Sequence, residues 1–352
     1  MKSKNILALL ALAVALSACG KKEANNKEDA KVEEKVASTD TQEKKNDEQP
    51  VIYASFYPIY NLTKQIAGDK FEVKSFNNLN TESHGWEPSA KDIAELSASK
   101  LIFINGAGME EWEDSVKDSV DIEMVNTSEN IDLIKASEED HDHDHEDADH
   151  DHDHEDADHE HEDHDHEEGE EEHHHHHHGA FDPHVWLSPV NAKAQAKVIA
   201  DKLAEVDPAN KDYFMANYEK IAKELDDLIS EYKEKFAKLD NKKFIVPHEA
   251  FGYLSRDFGL TQIPLASLTS TDDPDAKVMK EVTDLAKAEK IKTVFYEKGG
   301  SDKAAKTIAD EIGADIAPIN MMEFASDEDL ENNVTYQAIM KENLEAIYKS
   351  MS

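Results

Sequence analysis

The sequence predicts an α/β protein of two lobes, in which each lobe has a mainly parallel β-sheet flanked by helices and a single long, rigid helix joins the two. Three observations predict this fold. Short β-rich runs alternate with helical patterns in residues 51–125, and the alternation returns in residues 244–317. Residues 190–240, between them, have no glycine, one proline and apolar side chains at helical spacing. Alternation of strands and helices is typical of parallel sheets with crossover helices.

The predicted elements divide the folded part of the chain into three segments. We expect strands at residues 51–56, 71–76, 101–104, 122–125, 244–246, 262–265, 293–296 and 315–317. We expect helices at residues 59–67, 90–97, 109–120, 251–258, 277–290 and 302–312, with residues 329–350 as one final helix. This order predicts an N-terminal lobe over residues 51–189, a connecting helical segment over residues 190–241 and a C-terminal lobe over residues 242–352.

The connecting segment has a clear helix-start signal. Asp207 and Pro208 provide it, because aspartate caps helix N-termini and proline is favoured at the first helical position. Apolar side chains at helical spacing continue from there to about Leu239. One helix of that length would be about 45 Å long at 1.5 Å per residue, which is long enough to run along both lobes. Two ordinary helices with a kink would satisfy the same pattern.

The N-terminal 50 residues predict export and membrane attachment. Residues 1–18 combine early lysines with a short apolar run, as in a signal peptide, and that run is shorter than the roughly 20 residues of a permanent span. The small residues before Cys19 resemble the lipobox of bacterial lipoproteins, which implies cleavage there and a lipid on Cys19. Residues 19–50 have few apolar side chains, so we expect a disordered tether. An ordinary signal peptide with a chance cysteine is the alternative.

The charge and the cysteine content exclude several classes of protein. The chain has 78 acidic and 38 basic side chains in 352 residues, and phosphate recognition needs a basic surface, so we expect no nucleic-acid partner. A single cysteine excludes a disulfide framework and zinc sites made of several cysteines. The acidic excess is concentrated, because residues 138–178 alone hold 22 of the acidic residues and 16 of the 19 histidines.

Residues 138–178, here named the histidine tract, alternate histidine with aspartate and glutamate and end in six histidines. The apolar residues of the tract are two alanines, so we expect it to be disordered without metal. Its imidazoles and carboxylates predict several weak zinc sites, and a solvated spacer with incidental affinity is the alternative. The histidines of the tract are His141, His143, His145, His150, His152, His154, His159, His161, His164, His166, His173, His174, His175, His176, His177 and His178.

Three further histidines predict a separate metal site. His84, His184 and His248 each lie just after a strand-like run or in a loop that leads into a helix, where ligands bind in open α/β sheets. Glu297 ends another apolar strand and would complete a set of four ligands. Three imidazoles and one carboxylate suit Zn²⁺, and imidazole in place of a carboxylate moves the preference away from Mn²⁺. For each histidine alone, a capping or core role is the alternative.

Five motifs together resemble the metal-specific solute-binding proteins of ABC importers, and among these the zinc branch. They are His84-Gly-Trp-Glu-Pro-Ser89, Asn105-Gly-Ala-Gly-Met-Glu-Glu-Trp112, His184-Val-Trp-Leu-Ser-Pro189, Pro247-His-Glu-Ala-Phe-Gly-Tyr253 and Phe295-Tyr-Glu297. The resemblance covers residues 51–352 and implies two lobes joined by one rigid helix, with the metal in the cleft. It places His84 and His184 in the first lobe and His248 and Glu297 in the second. The fourth position varies within the family between a carboxylate and water, so water is the alternative to Glu297.

The same resemblance implies a function. We expect an extracytoplasmic receptor, lipid-anchored to the cell membrane and monomeric, that binds Zn²⁺ and delivers it to the permease of an ABC transporter. Zinc-branch relatives carry similar histidine-rich loops, which implies that the tract collects metal. Manganese-binding relatives usually have glutamate where this chain has His248, so the departure favours zinc over Mn²⁺.

Two other classes of function are compatible with the same residues. A zinc hydrolase also uses three histidines and an open coordination position, although no His-Glu-x-x-His helix accompanies them and Glu249 is the one obvious base candidate. Adhesion is a role attributed to some members of the resembled family, and a surface lipoprotein could combine it with transport. We expect no enzymatic activity.

Overall fold

Two separate four-stranded β-sheets organise the computed structural model of the protein, which describes residues 49–136, 179–268 and 274–352. The predicted signal peptide, Cys19, the tether up to residue 48 and the whole histidine tract lie outside the described residues. The strands are β1 (Val51–Ala54), β2 (Glu72–Ser75), β3 (Leu101–Ile104), β4 (Glu123–Asn126), β5 (Lys243–Val246), β6 (Thr261–Pro264), β7 (Thr293–Glu297) and β8 (Asp315–Ile319).

The helices alternate with the strands and cover the sheets. They are α1 (Tyr57–Ala67), α2 (Ala90–Leu96), α3 (Glu113–Ser119), α4 (Pro189–Val206), α5 (Lys211–Ala237), α6 (Gly252–Phe258), α7 (Ala276–Glu289), α8 (Lys303–Ile312), α9 (Asp327–Glu331) and α10 (Tyr336–Met351). Their starts follow local chemistry; for example, Ser89 and Asp92 form a reciprocal capping box at the start of α2. Within the described ranges, no helix has the length and apolar composition needed to cross a membrane.

Both sheets are parallel and have the same topology. The strand orders are β2-β1-β3-β4 and β6-β5-β7-β8, and every strand pair that the structure describes is parallel. The order reverses between β1 and β3 and again between β5 and β7. In open parallel sheets, ligands bind beyond the carboxyl ends of the strands at such a reversal. The topology therefore creates two loop clusters suited to a ligand.

The predicted fold is confirmed strand by strand. Each of the eight strands begins and ends within two residues of its predicted position. The continuous apolar runs become the inner strands: all four residues of β3 are buried, as are Phe244, Ile245 and Val246 of β5. Strands covered by helices on both faces require such runs, because neither face meets water.

A pair of helices, α4 and α5, connects the two sheets. Helix α5 has 27 residues and is about 40 Å long at 1.5 Å per residue, so the predicted long helix is confirmed. It begins at Lys211 rather than at Pro208, because Pro208–Asn210 form a 3-10 turn. In that turn the Asp207 carboxylate accepts a hydrogen bond of 2.6 Å from the Asn210 side chain and does not cap the backbone.

One hydrophobic cluster runs through both halves of the chain. It includes Phe103 of the first sheet, Phe244 of the second, Leu203 of α4, Leu225 of α5 and Leu344 of α10, all of which are buried. Apolar burial contributes about 25 cal/mol per Å² removed from water, so the shared cluster stabilises the two sheets in one relative position. Two smaller clusters pack α2 and α3 on the first sheet and α7 and α8 on the second.

The prediction of one final helix over residues 329–350 is wrong. The structure has α9 and α10 in its place, separated at residues 332–335. Asn333 adopts a left-handed conformation with φ of 48°, which a helix cannot continue through. Thr335 then starts α10, because its side chain accepts a hydrogen bond from the Ala338 amide.

Candidate metal centre

Four loops bring three histidines and one glutamate together. His84 lies in the loop between β2 and α2, and His184 immediately precedes the 3-10 turn Val185–Leu187 that leads into α4. His248 follows the end of β5 by two residues, and Glu323 follows the end of β8 by four. One ligand atom from each of the four side chains lies within 4.8 Å of all the others.

The spacing of these atoms matches the coordination shell of one ion. The Nε2 atom of His184 lies 3.0 Å from Nε2 of His84 and 3.2 Å from Nε2 of His248. Glu323 Oε1 lies 3.7, 3.8 and 3.5 Å from the Nε2 atoms of His84, His184 and His248. Ligands about 2.0–2.1 Å from a tetrahedral zinc are about 3.3 Å from one another. The four atoms therefore surround a space of the size that a single zinc ion needs.

Burial keeps the three imidazoles neutral. It lowers the pKa of His84 to about 4 and that of His184 to about 3. It also lowers the pKa of His248, with smaller contributions from the positive charges that His184 and His84 would carry if protonated. A histidine with a lowered pKa is unprotonated at neutral pH, so each imidazole has a lone pair ready for a metal.

Glu323 is a buried carboxylate that lacks a donor. The residue is 2 % exposed, and neither carboxylate oxygen has a hydrogen-bond partner among the described residues. Burial raises its pKa well above the ordinary value, and Glu82 and Glu297 raise it further. Glu82 could share a hydrogen bond with it only if one of the two carboxyl groups kept a proton. Burying an uncompensated carboxylate is costly, and a divalent cation among the histidines would compensate it.

Asp182 orients the central histidine of the group. Its Oδ1 atom lies 2.9 Å from Nδ1 of His184 and also accepts the backbone N–H of His184 at 2.9 Å. A carboxylate beside Nδ1 keeps the imidazole proton on that nitrogen. The lone pair of Nε2 is then free to bind a metal between the four side chains. The Tyr253 hydroxyl donates to the backbone oxygen of Asp182 at 2.7 Å and fixes the loop. Sequence reasoning missed Asp182, although an aspartate two residues before a candidate histidine was the available signal.

We expect Asp182→Ala to weaken metal binding without removing a ligand. Loss of a carboxylate behind a metal-binding histidine typically costs about 10–100-fold in affinity, because the imidazole is no longer held in one orientation and tautomer. Competition titrations with a zinc chelator measure the change. Asp257→Ala is the matched control, because Asp257 accepts a hydrogen bond from Ser188 and is not part of the group of four. Equal affinities for Asp182→Ala and the parent would contradict this role.

Glu297, the predicted fourth ligand, lies at the end of β7 but not in the group of four. It lines a cavity of about 140 Å³ together with His248 and Glu82. Burial raises the pKa of Glu297 to about 7, and the neighbouring Glu82 adds to the shift. The three predicted histidines are thus brought together, and the carboxylate grouped with their Nε2 atoms is that of Glu323. Glu297 as a ligand stays a prediction.

The fold and the site together define a class of protein. The chain has two parallel-sheet lobes joined by a long helix, and three neutral imidazoles and a carboxylate lie within 4.8 Å of one another. These features are those of a two-lobed metal-binding receptor. The chain belongs to the family described as zinc-uptake complex component A, periplasmic (ZnuA), whose family model matches residues 52–350.

Individual relatives agree with this family. The chain is 37 % identical over 303 residues to the high-affinity zinc uptake system protein ZnuA of Bacillus subtilis (strain 168), covering 85 % of this chain and 87 % of that protein. The solved structure of the metal-dependent lipoprotein YcdH from Bacillus subtilis superimposes with a TM-score of 0.69 at 32 % identity, covering 86 % of this chain and 100 % of that one. A third relative is the laminin-binding protein Lmb of Streptococcus agalactiae, which is described as a bifunctional protein with adhesin and metal transporting activity. Its solved structure superimposes with a TM-score of 0.69 at 26 % identity, covering 86 % of this chain and 100 % of that one.

Proposed function

We propose that this protein is an extracytoplasmic zinc receptor that captures Zn²⁺ and delivers it to the permease of an ABC importer. The observation that carries the proposal is the buried group formed by His84, His184, His248 and Glu323. Membership of the zinc-uptake family and the similarity to the zinc uptake protein of Bacillus subtilis support the role in transport. Because one chain supplies all four side chains, a monomer is sufficient for binding.

The donor set favours zinc over manganese. Zinc accepts nitrogen and oxygen donors in tetrahedral arrangements, whereas Mn²⁺ favours oxygen donors and octahedral geometry. Here three of the four donors are imidazole nitrogens, and His248 supplies one where a carboxylate would suit manganese. We propose His84, His184, His248 and Glu323 as the ligands, with Glu297 as the competing candidate for the fourth position.

We propose that the zinc is cargo and that the protein has no enzymatic activity. A catalytic zinc keeps one position open for water or substrate. With Glu323 as the proposed fourth ligand no position would stay open, and the side chains of His84 and Glu323 are only 9 % and 1 % exposed. Such a closed set of ligands suits tight binding rather than turnover.

The function is tested by metal preference and by uptake. We expect purified chain lacking residues 138–178 to bind one Zn²⁺ tightly and to keep it in the presence of excess Mn²⁺. We also expect a bacterium without the gene to grow poorly when zinc is scarce and to recover when the gene is restored. Tight Mn²⁺ binding that displaces zinc, or recovery with manganese and not with zinc, would refute the proposal.

We further propose that the histidine tract collects zinc for the buried site. Its sixteen imidazoles and the surrounding carboxylates attract and coordinate cations, whereas the folded site has preformed ligand geometry. Removal of residues 138–178 should therefore lower the zinc stoichiometry and leave one tight site. Loss of the tight site on this deletion would contradict an accessory role.

Membrane attachment is proposed to depend on Cys19. The sequence before it resembles a lipobox, and the similar Bacillus subtilis protein YcdH is described as a lipoprotein. We expect Cys19→Ala to release the protein from the membrane fraction and to remove the mass of the lipid, as judged by fractionation and mass spectrometry. Cys19→Ser, which keeps the size of the side chain but also lacks the thiol, should behave in the same way. Retention of either variant in the membrane with unchanged mass would exclude this anchor.

Adhesion is a second candidate function. The observation that favours it is the similarity to Lmb, whose description combines adhesin and metal transporting activity. Binding of purified protein to immobilised laminin, with and without zinc, tests this role independently of zinc transport.

A further inference from the structure

We infer that Trp186 and Ser83 are positioning residues that hold Glu323 against the histidines and thereby set the affinity of the metal site. The inference rests on the proposed zinc-binding function and deepens it. Trp186 lies two residues after His184, and Ser83 immediately precedes His84. The loops that supply two of the ligands would thus also place a third one.

Trp186 fixes the backbone just before Glu323. Its Nε1–H donates a hydrogen bond of 2.8 Å to the backbone oxygen of Met321, two residues ahead of Glu323. The Trp186 side chain is fully buried, and its ring packs edge-to-face on Phe56 with 4.9 Å between ring centroids. The ring of His184 lies 5.3 Å from the same indole. Core packing therefore holds the indole N–H of Trp186 in place, and this N–H is directed at the segment that carries Glu323.

Ser83 fixes the backbone of Glu323 itself. Its hydroxyl donates a hydrogen bond of 2.8 Å to the backbone oxygen of Glu323. The same hydroxyl accepts a hydrogen bond of 3.0 Å from the side-chain amide of Asn77, which leaves its proton directed to Glu323. Ser83 is buried, so water does not compete for either bond.

The segment around Glu323 bridges the two halves of the chain. A third hydrogen bond to the first lobe joins the Ala325 amide to the backbone oxygen of Leu79 at 2.7 Å. On the other side, the Asn320 amide donates to the Asn343 side chain of α10 at 3.0 Å. Residues 321–325 belong to the C-terminal half by sequence, yet their backbone is hydrogen-bonded to the N-terminal half.

The backbone at this point is strained and needs such support. Met322, between Met321 and Glu323, has φ of 61°, a left-handed conformation that is costly for a side chain of this kind. A conformation of this sort persists only where the surroundings enforce it. Hydrogen bonds from Trp186, from Ser83 and to Leu79 fix the main chain on both sides of Glu323, so they determine the position from which its side chain extends. A metal ligand must be held within about 0.5 Å of the position from which it binds the ion, so support of this backbone matters for binding.

The test is a double-mutant cycle in the full-length chain. Trp186→Phe keeps an aromatic ring but removes the N–H, and we expect it to weaken zinc binding by about tenfold, as for one lost hydrogen bond. In a Glu323→Gln background the same change should alter the affinity by less than about twofold, because its effect passes through Glu323. Chelator competition measures the affinities, and the contribution of the histidine tract is the same in all four proteins. Trp112→Phe, at a buried tryptophan of another cluster, is the matched control and should have no effect.

A second set of variants keeps the inference testable if Trp186→Phe unfolds. Ser83→Ala should weaken zinc binding, and Ser83→Thr, which retains a hydroxyl, should restore it. Ser99→Ala is the control, because Ser99 is a buried serine that donates to the backbone oxygen of Val51, away from the site. The inference would be overturned if Trp186→Phe and Ser83→Ala changed the zinc affinity equally in the parent and Glu323→Gln backgrounds, or changed it in neither. The parent would still bind zinc tightly in both cases. A parent without a tight zinc site would instead refute the proposed function.

Discussion

Replacement of His184 by alanine is expected to weaken zinc binding by about 100- to 1,000-fold. Four-ligand zinc sites have apparent binding free energies of roughly 10–16 kcal/mol, so one ligand of four accounts for about 2.5–4 kcal/mol. His184 is the central histidine of the proposed site, with Nε2 atoms of two other histidines 3.0 and 3.2 Å from its own. It is also fully buried, so water cannot easily take its place.

The measurement is chelator competition on protein that lacks residues 138–178, so that the tract does not mask the loss. His84→Ala and His248→Ala should weaken binding in the same direction. The melting temperature of each metal-free variant controls for loss of fold, and added zinc should raise it less than in the parent, because stabilisation by a ligand follows its affinity. Parent-like affinity of His184→Ala, in a folded variant, would show that the histidine group is not the tight site.

The same assay distinguishes the two carboxylates proposed for the fourth position. Glu323→Gln and Glu297→Gln are matched, because both carboxyl groups are shielded from water and have raised pKa values. Glu323 Oε1 lies within 3.8 Å of all three Nε2 atoms, whereas Glu297 lies outside the group. We therefore expect the larger loss of affinity for Glu323→Gln. The opposite order would assign the ligand to Glu297.

The three histidines could be predicted from sequence because each follows local rules. His248 comes just after the apolar strand β5, and His184 precedes a Ser-Pro helix start. Strand ends and helix starts are visible in a single sequence, and parallel strands collect such residues at one edge. The structure brings one ring nitrogen of each of these histidines within 4.8 Å of the others, as this reasoning expects.

Glu323 could not be predicted in the same way. It lies in a loop after β8 without a helix or strand pattern, and its position depends on bonds that reach far along the chain. The bond from Trp186 to Met321 spans 135 residues, and the bond from Ser83 to Glu323 spans 240. Local patterns carry no information about such pairs. The break between α9 and α10 was also missed, and it falls where Asn333 adopts a left-handed conformation with φ of 48°.

At pH 5 the full-length protein is expected to retain one zinc ion and to lose the others. The pKa values of His84 and His184 are lowered to about 4 and about 3, and that of His248 is also lowered, so these imidazoles remain neutral at pH 5. The imidazoles of the tract should have the ordinary pKa of about 6.5 and become protonated. A site that uses two of them loses about 100-fold in affinity per pH unit below that value.

The carboxylate of the buried site adds a smaller dependence on pH. The pKa of Glu323 is raised by burial, so zinc must displace at most one proton from it, and the affinity should fall by no more than about tenfold per pH unit. Dialysis at pH 7 and pH 5 followed by metal analysis measures the stoichiometry, and the chain without residues 138–178 is the matched control, which should hold one zinc ion at both values. Glu323→Gln should make the affinity of the remaining site less dependent on pH, because the variant has no carboxyl proton to release. Release of the last zinc ion in parallel with the others would mean that the tight site is built from imidazoles of ordinary pKa, and the buried histidines would then not be its ligands.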